Sequence, residues 1–299
     1  MTVRTRFAPS PTGYLHVGGI RTALFAYIVA KQNDGKFVLR LEDTDKAREV
    51  AGSAEHLVAS LKSLGIMYDE GPDIGGEYGP YKQSERLATY QEWAQRLIAA
   101  GRAYADPYTS EEIQAFREQA QREKRAFRYR DHRPENPPVW DGSQPLRFKS
   151  EPKRYTYHDE VMGDITTSPE VVDDFILVKS DGYPTYNFAH IVDDAEMQIT
   201  HVIRGQEFIS SMPNYLALYE ALELERPIFA SVLSIIIVLA GLAAVVQLPV
   251  EQYPRITPPT VIVTATFPGA SAETMIKTVA APIEEKLSAI EGLLYFNSS

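Results

Sequence analysis

The 299-residue sequence contains no cysteine, and this absence excludes disulfide bonds, cysteine nucleophiles and thiolate zinc sites. Positive charge is also scarce, since 30 Lys and Arg stand against 40 Asp and Glu, for a formal net charge of −10. So acidic a chain is ill-suited to coat nucleic acid non-specifically, although a local basic patch can still bind RNA. Residues Met1 to Phe7 lack the apolar core of a signal peptide, which predicts a cytoplasmic protein.

The most informative local pattern is the stretch Arg6–Gly19, Arg-Phe-Ala-Pro-Ser-Pro-Thr-Gly-Tyr-Leu-His-Val-Gly-Gly. It follows a predicted strand from Val3 to Ala8 and leads into a predicted helix. The predicted packing face of that helix comprises Ile20, Leu24, Tyr27 and Ile28. A helix N-terminus offers unpaired N–H groups to an anion and His16 adds a donor, which favours nucleotide binding. The alternative is structural, because paired glycines often open helices and a lone histidine is usually a hydrogen-bonding residue.

The wording of this stretch resembles a signature of the class I aminoacyl-tRNA synthetases. Leu15–Gly19 resembles their HIGH motif, and Pro9–Gly13 resembles the form found in glutamyl-tRNA synthetases. Further segments that resemble this family are Leu41–Asp45 (LEDTD), Tyr81–Arg86 (YKQSER), Ser180–Ala189 (SDGYPTYNFA) and Thr200–Glu207 (THVIRGQE). The sequence therefore resembles the glutamyl-tRNA synthetase family over about three quarters of its length.

The resemblance implies an α/β fold, in which a Rossmann-like parallel sheet is interrupted by an α/β insertion that binds the tRNA acceptor end. The expected domains are residues 1–80 and 175–230 for the two halves of the catalytic domain and 81–174 for the insertion. The alternation of helices and strands favours the same sheet, with Val3–Ala8 beside Lys36–Leu41. Asp174–Lys179 is expected to return the chain to this first sheet.

The family resemblance also implies which residues hold the substrates. The catalytic residues it implies are Thr12, His16, Gly18 and Gly19. The ATP-binding residues it implies are Ser10, His16, Gly18, Gly19 and Glu207. The glutamate-binding residues it implies are Arg6, Ala8, Ser10, Glu42, Tyr186 and Arg204. The planar guanidinium of Arg204 suits a γ-carboxylate, because it can donate two parallel charge-assisted hydrogen bonds, whereas a carboxylate at Glu42 suits an ammonium group. For any single arginine the alternative is a surface ion pair, and for Glu42 to Asp45 it is a solvated acidic turn.

The implied substrates and partners are L-glutamate, ATP with Mg²⁺, and tRNA(Glu). The glutamate carboxylate would attack the α-phosphate of ATP to give glutamyl-adenylate, and the terminal ribose of the tRNA would then take the glutamyl group. Neither a protein-bound metal nor zinc is expected, since the cysteine ligands that many bacterial relatives carry in the insertion are missing here.

Phe116–Arg133 is the one basic concentration of the sequence, with seven Arg or Lys against three acidic residues. Phe127 and Tyr129 lie among these charges, a mixture that could contact a backbone and stack on an unpaired nucleotide. The predicted tRNA-binding residues are Arg122, Lys124, Arg125, Arg128 and Arg130. The alternative is a solvated amphipathic helix followed by a polar loop.

The C-terminal part departs from the synthetase family, because the lysine-bearing KMSKS loop and the anticodon-binding domains are not present. Ile228–Leu248 is an uncharged stretch of 21 residues, which predicts a transmembrane helix and an inner-membrane location if it is expressed. Residues 249–299 resemble the N-terminal porter region of resistance-nodulation-division (RND) efflux pumps, with a predicted strand Thr260–Phe267 and a predicted helix from Ser271 to about Ile290. A fusion near Arg226–Ala230 accounts for both resemblances.

Three functions are thus weighed. The first is the catalytic part of a glutamate–tRNA ligase, expected to have little or no ligase activity without the KMSKS lysine. The second is a fragment of a membrane efflux transporter, which would use only the C-terminal part. The third is a glutamyl-queuosine tRNA synthetase-like paralogue, whose insertion is usually shorter and zinc-bearing.

Overall fold

The computed structural model describes residues 2–232 and 261–288, which fall into two compact units, Met1–Ile235 and Ile236–Ser299. The strands of the first unit are β1 (Arg4–Phe7), β2 (Lys36–Leu39), β3 (Ala103–Ala105), β4 (Leu146–Phe148), β5 (Tyr155–Asp159), β6 (Gly163–Thr167), β7 (Ile176–Val178), β8 (His201–Gly205) and β9 (Ile228–Val232). Its α-helices are α1 (Val17–Gln32), α2 (Ser53–Ser63), α3 (Leu87–Ala99), α4 (Ser110–Arg122), α5 (Tyr186–Glu196) and α6 (Met212–Ala221).

Six of these strands form one sheet in the order β2-β1-β8-β9-β5-β6. The first five are parallel to one another, and β6 pairs antiparallel with β5 at the edge. Arg4–Phe7 aligns with Lys36–Leu39, so the prediction that these two segments are neighbours in one sheet is confirmed. The chain crosses from β1 to β8 only after some 190 residues, which places sequence-distant segments side by side at the carboxyl edge of the sheet.

The remaining strands form a second sheet in the order β3-β4-β7. The prediction that Asp174–Lys179 returns to the first sheet is therefore wrong. The buried Asp174 carboxylate holds β7 beside β4 instead. It accepts hydrogen bonds from the backbone N–H and the hydroxyl of Ser150, which lies just after β4, at 2.9 and 2.7 Å. The predicted insertion also contributes β5 and β6 to the first sheet, through the pairing of Asp159 with Phe229.

Both faces of the six-stranded sheet are covered by apolar cores. One core joins α1 and α2 to residues such as Phe37 and Ile203, and the other joins α3, α5 and α6 to the neighbouring Val38 and Val202. Such alternation along a strand is what a sheet buried on both faces requires. The buried residues of α1 are Ala23, Ala26 and Ala30. The predicted packing face is therefore wrong at Leu24 and Ile28, which are 41% and 37% exposed, because small residues let the helix approach the sheet more closely.

In the C-terminal unit, a short helix α7 (Ala272–Met275), a π-helical turn (Ile276–Ala280) and α8 (Ala281–Leu287) follow Ser271. The Ser271 hydroxyl accepts a hydrogen bond from the Thr274 N–H, which confirms it as the N-cap. Residues 261–267 form no strand, contrary to the prediction. Val261 and Ile262 are 83% and 85% exposed, because no described segment of this unit pairs with them.

The predicted transmembrane helix begins with Ile228–Val232, which the structure shows as strand β9 in the first sheet. The prediction is wrong for these five residues, since β9 pairs with strands on both sides. Residues 233–248 lie outside the described residues. Within residues 2–232 and 261–288, no helix is both long enough and apolar enough to span a membrane.

Candidate active site

Four of the predicted glutamate-binding residues converge at the carboxyl edge of the six-stranded sheet. Arg6 lies on β1, Glu42 follows β2, Arg204 lies on β8, and Tyr186 is the first residue of α5. Burial raises the pKa of Tyr186, the Glu42 carboxylate raises it further, and the Arg204 and Arg6 guanidinium groups oppose the rise. The four side chains are therefore close enough for their charges to act on one another, as expected where parallel strands end.

A buried charge network underlies this edge. Arg40 is completely buried and pairs with Glu42 at 3.0 Å, with Asp194 at 2.8 Å and with Asp193 at 3.5 Å. Arg6 donates from Nε to both oxygens of Asp194, 3.1 and 3.2 Å away. Each buried carboxylate thus has a cationic partner, which is the condition for holding ions out of water.

Asp193 has further partners that come from the predicted insertion. Its carboxylate accepts hydrogen bonds from Gln83 at 2.8 Å, Arg86 at 2.7 Å and the Tyr90 hydroxyl at 2.9 Å. The three buried carboxylates of Glu42, Asp193 and Asp194 are therefore matched by three arginines. The arginines in question are Arg6, Arg40 and Arg86.

Two of these buried carboxylates, those of Glu42 and Asp194, have pKa shifts in opposite directions. Burial raises the pKa of Glu42 to about 7, against the lowering effect of Arg40 and Arg6. Burial also penalises the charged form of Asp194, but Arg6 and Arg40 outweigh it and lower the pKa of that carboxyl to about 2. Asp194 is thus a permanent anion that anchors the arginines, whereas Glu42 changes its charge near neutral pH.

Arg204 is the cation of this site that lacks a carboxylate partner in the described part of the chain. Its guanidinium lies over the rings of Tyr215 (4.9 Å), Phe208 (5.1 Å) and Phe229 (6.0 Å), and Nη2 contacts Sδ of Met212. Nη1 is buried, and among the described residues it has no hydrogen-bond partner. A buried guanidinium with an unused donor is poised to bind an anion.

His190 is not among the predicted site residues, yet its ring lies against that of Tyr186. The two rings stack at 4.7 Å, and Nδ1 of His190 lies 2.7 Å from the Tyr186 carbonyl oxygen, to which it donates. Burial, with Arg204 and Arg6 nearby, lowers the pKa of His190 to about 3, so the ring is neutral. The four-residue spacing on α5 was the signal that could have identified this pair.

Arg40, Asp193 and Asp194 were also absent from the predicted site. Arg40 lies within the predicted strand Lys36–Leu41, and the two aspartates follow the segment Ser180–Ala189, so none of the three was assigned a role in the site. The signal was available, because two adjacent acidic residues that directly follow the apolar pair Ile191 and Val192 require buried partners if that segment is buried.

The predicted nucleotide end of the site lies at the N-terminus of α1. His16 is the N-cap, and its Nδ1 accepts a hydrogen bond from the Gly18 N–H at 3.1 Å. The first turn contains no acidic residue, and a Cβ on Gly19 would lie 2.7 Å from Cδ1 of Leu15. There is therefore little free space beside Gly19, and the N-terminus of the helix carries no negative charge. The lack of negative charge favours the binding of an anion there.

The other predicted residues are spread around these two ends. Ser10 and Thr12 are exposed in the loop between β1 and α1, and Ala8 is half-buried where that loop starts. Glu207 is exposed in the 3-10 turn after β8, and a Cβ on Gly205 would lie 2.1 Å from its carboxylate. Glycine at position 205 thus lets the Glu207 side chain fold back over the backbone.

The predicted tRNA-binding residues differ in their surroundings. Arg125 pairs with Glu123 at 2.5 Å, Arg128 with Asp131 at 3.4 Å and with Glu170, and Arg130 donates to the Val172 carbonyl. Arg122 and Lys124 are exposed at the end of α4. Partial neutralisation weakens the basic patch as an electrostatic surface, so Arg122 and Lys124 are its most available members.

Tyr129 does not present its ring to solvent. It is 3% exposed, its hydroxyl donates to Asp106 at 2.5 Å, and the Arg147 guanidinium lies 3.3 Å from its ring centre. The suggestion that Tyr129 stacks on a nucleotide is therefore wrong. Phe127 is half-buried and lies beside His132 and Arg117.

Among residues 2–232 and 261–288, no group of three or more His, Asp or Glu side chains is arranged to hold a metal ion.

The pKa of Glu42 predicts how ligand binding depends on pH. Between pH 6 and pH 8 the carboxylate becomes ionised, so the affinity for an amino acid whose ammonium group lies beside it should rise by up to about tenfold. His190 stays neutral in this range. Titration calorimetry with L-glutamate at several pH values measures this change. Glu42→Gln should bind more weakly and with little pH dependence, and an equally steep profile in that variant would rule out Glu42 as the titrating group.

Two family models match this chain. The model described as tRNA synthetases class I (E and Q), catalytic domain, matches residues 2–239. The model of the AcrB/AcrD/AcrF family matches residues 220–299. The two matches overlap over residues 220–239, which include β9.

Curated proteins and solved structures resemble the same N-terminal part. The chain is 47% identical over 235 residues to a glutamate–tRNA ligase of Clostridium botulinum, a match that spans 76% of this chain and 48% of that protein. It is 48% identical over 233 residues to the enzyme of Clostridium tetani, with 75% and 48% coverage. A glutamate tRNA ligase of Elizabethkingia meningosepticum, crystallised in complex with its amino acid, superposes with a TM-score of 0.72 at 40% identity, covering 78% of this chain and 49% of that one. The chain spans about half the length of the relatives it matches.

Proposed function

The chain belongs to the class I tRNA synthetases for glutamate and glutamine, and we propose that it carries the site that binds L-glutamate and ATP in a glutamate–tRNA ligase. The observation that carries this proposal is Arg204, a buried guanidinium at the edge where Arg6, Glu42 and Tyr186 converge. Its Nη1 has no hydrogen-bond partner within the described part of the chain. Such a group recognises a carboxylate by geometry as well as charge.

The charges of the site match those of glutamate. Three buried arginines balance three buried carboxylates, and Arg204 adds one uncompensated cation. L-glutamate carries two carboxylates and one ammonium, a net charge of −1. With its γ-carboxylate on Arg204 and its ammonium beside Glu42, two of the three charges of the ligand have a partner of opposite sign, and its net charge of −1 offsets the one uncompensated cation. Glutamine would leave Arg204 without an anion, so selection against it follows from the same contact.

ATP would bind with its phosphates at the N-terminus of α1. His16, Gly18 and Gly19 form this end, Ser10 and Thr12 lie in the loop before it, and Glu207 lies across the sheet edge. Because α1 follows β1 and glutamate would bind where β1 ends, this arrangement brings the α-phosphate and the α-carboxylate of glutamate towards one another.

In the proposed reaction the α-carboxylate attacks the α-phosphate, the bond to the β-phosphate oxygen breaks, and pyrophosphate leaves as glutamyl-adenylate forms. Mg²⁺, bound with ATP, would supply charge neutralisation at the phosphates. The residues described here bind and orient the two reactants and place N–H donors where negative charge develops, which is how catalysis without a covalent enzyme intermediate proceeds. The terminal ribose hydroxyl of tRNA(Glu) would then attack the carbonyl carbon of the adenylate, so that the glutamyl ester forms and AMP leaves. The exposed Arg122 and Lys124 would contact the tRNA.

The proposal predicts a ligand preference that can be measured directly. The 299-residue chain should bind L-glutamate at least about tenfold more tightly than L-glutamine, because the amide cannot replace a carboxylate on a buried cation. Calorimetric titration with L-glutamate, L-glutamine and L-aspartate tests this. Equal affinity for the two isosteric ligands, glutamate and glutamine, would contradict the assignment of Arg204 to the side-chain carboxylate.

For the C-terminal part we propose a fusion origin, with residues from about 226 onwards derived from an efflux-pump sequence. The AcrB/AcrD/AcrF match to residues 220–299 supports this. Sequencing genomic DNA across codons 220 to 240 tests the proposal, since a continuous synthetase reading frame there would contradict it.

A further inference from the structure

A small cavity lies beside Arg204 and is lined in part by residues of β5, β8 and β9. Its volume is about 10 Å³, and its lining includes Tyr157, Asp159, Arg204, Phe229 and Ser231. These residues come from three adjacent strands, because Asp159 pairs with Phe229 across β5 and β9, and Arg204 pairs with Ser231 across β8 and β9. The cavity thus connects the predicted insertion to the arginine that recognises substrate.

Two of the lining residues carry buried polar atoms that lack a hydrogen-bond partner among the described residues. These atoms are the Tyr157 hydroxyl and Nη1 of Arg204. The two residues are 6% and 8% exposed. Two unpaired polar groups at one cavity would be costly if nothing lay between them.

Asp159 offers a third polar partner. Its Oδ1 accepts hydrogen bonds from the N–H groups of Val161, Met162 and Ser231, whereas Oδ2 accepts one, from the Ser231 hydroxyl at 2.7 Å. A carboxylate oxygen can accept at least two hydrogen bonds, so Oδ2 has capacity for another. A volume of about 10 Å³ with two to four polar partners is what one buried water molecule needs.

We propose that Tyr157 is a positioning residue for Arg204, acting through one water molecule held in this cavity. The water accepts a hydrogen bond from Nη1 of Arg204 and donates one to Oδ2 of Asp159. It forms a third hydrogen bond with the Tyr157 hydroxyl. Nη1 carries two N–H groups, so it donates one to the water and keeps the other for the ligand carboxylate. The water therefore fixes the plane of the guanidinium before the substrate arrives.

The predicted effect on substrate affinity rests on the proposed function, whereas the presence of the water does not depend on it. Removing the Tyr157 hydroxyl should leave the guanidinium free to rotate against its aromatic neighbours, and preorganisation for a planar carboxylate would be lost. The nucleotide end of the site, at α1, should be unaffected.

Tyr155 provides a matched control for this substitution. It lies two residues earlier on the same strand, it is 3% exposed, and its hydroxyl likewise has no partner in the described part of the chain. Tyr155 does not line the cavity. Tyr157→Phe and Tyr155→Phe therefore remove the same group from similar environments, and only the first touches the proposed water.

The experiment compares the two variants with the unsubstituted 299-residue chain. Tyr157→Phe should raise the dissociation constant for L-glutamate by about threefold to tenfold, the range expected for one lost hydrogen bond, and leave that for ATP unchanged. Tyr155→Phe should change neither. A crystal structure that resolves ordered water should show one water within hydrogen-bonding distance of Tyr157, Arg204 and Asp159.

Equal glutamate affinities of the two variants would overturn the positioning role, and a dry cavity would overturn the water. If the unsubstituted chain binds no glutamate, the proposed function fails. The positioning role is then tested by two crystallographic observations, the presence of the water and the orientation of Arg204 in Tyr157→Phe. An unchanged, ordered guanidinium in that variant would then refute it.

Discussion

Replacing Arg204 by alanine is expected to weaken L-glutamate binding by roughly tenfold to more than a hundredfold, while ATP binding stays within about twofold. The interactions lost would be the proposed charge-assisted hydrogen bonds to the ligand, beside the rings of Phe208, Tyr215 and Phe229, where water screens charges poorly. The measurement is the pair of dissociation constants, for L-glutamate and for ATP, in the same 299-residue chain.

Two further variants show whether the effect of Arg204 is specific. Arg204→Lys keeps the charge and loses the planar pair of donors, so its affinity should fall between those of the unsubstituted chain and the alanine variant. Arg48→Ala removes an arginine that pairs with Asp45 at the surface, and it should change neither constant. Comparable losses for glutamate and ATP in Arg204→Ala would show a general disturbance of the site.

Replacing Arg40 by methionine is expected to destabilise the fold by about 3 to 5 kcal/mol, because it leaves buried carboxylates without their shared cation. Arg40 contacts Glu42, Asp193 and Asp194, and all four side chains are at most 5% exposed. Urea unfolding followed by the fluorescence of Trp93 and Trp140 measures the change in unfolding free energy. Both tryptophans lie in the first unit, so the signal reports the fold that contains the network.

The loss at Arg40 should depend on pH in a direction that identifies its cause. Arg40 holds down the pKa of Glu42, which is about 7 even with that help. Without Arg40 the pKa of Glu42 rises further, and protonation then removes one uncompensated charge from the folded state. The destabilisation should therefore be smaller at pH 6 than at pH 8. Lys31→Ala, which breaks a surface pair with Asp69, should cost no more than about 1 kcal/mol at either pH.

The sequence was sufficient to predict that the motif residues after β1 and β2 and on β8 meet, because parallel strands of one sheet end at a common edge. It was not sufficient to predict the buried network. Arg40 contacts Asp194, which lies 154 residues further along the chain, and no local pattern specifies such a distant partner. The packing face of α1 was mispredicted for a different reason, since apolar periodicity favours the larger residues and overlooks alanines that permit close packing.

Strand β7 illustrates a third limit of prediction from sequence. Its residues have the apolar character of a strand in the first sheet, but a charged neighbour decides the pairing. Asp174 is held by Ser150 and Arg133, and this places β7 beside β4. The basic stretch likewise has the composition of an RNA-binding surface, although several of its arginines are occupied by acidic residues that the composition alone does not locate.

The strand order has a consequence for the time course of folding. β1 pairs with β8, whose partner residue lies 196 positions later, and β5 joins the sheet only through β9, the last strand of the first unit to leave a ribosome. The strand pairs β2-β1 and β5-β6 at the two edges of the sheet therefore cannot join until residues 201–232 have been synthesised and have paired between them. Long-range pairings of this kind slow folding and leave strand edges exposed meanwhile. A nascent chain halted at residue 225 would hold both halves and lack the strand that joins them.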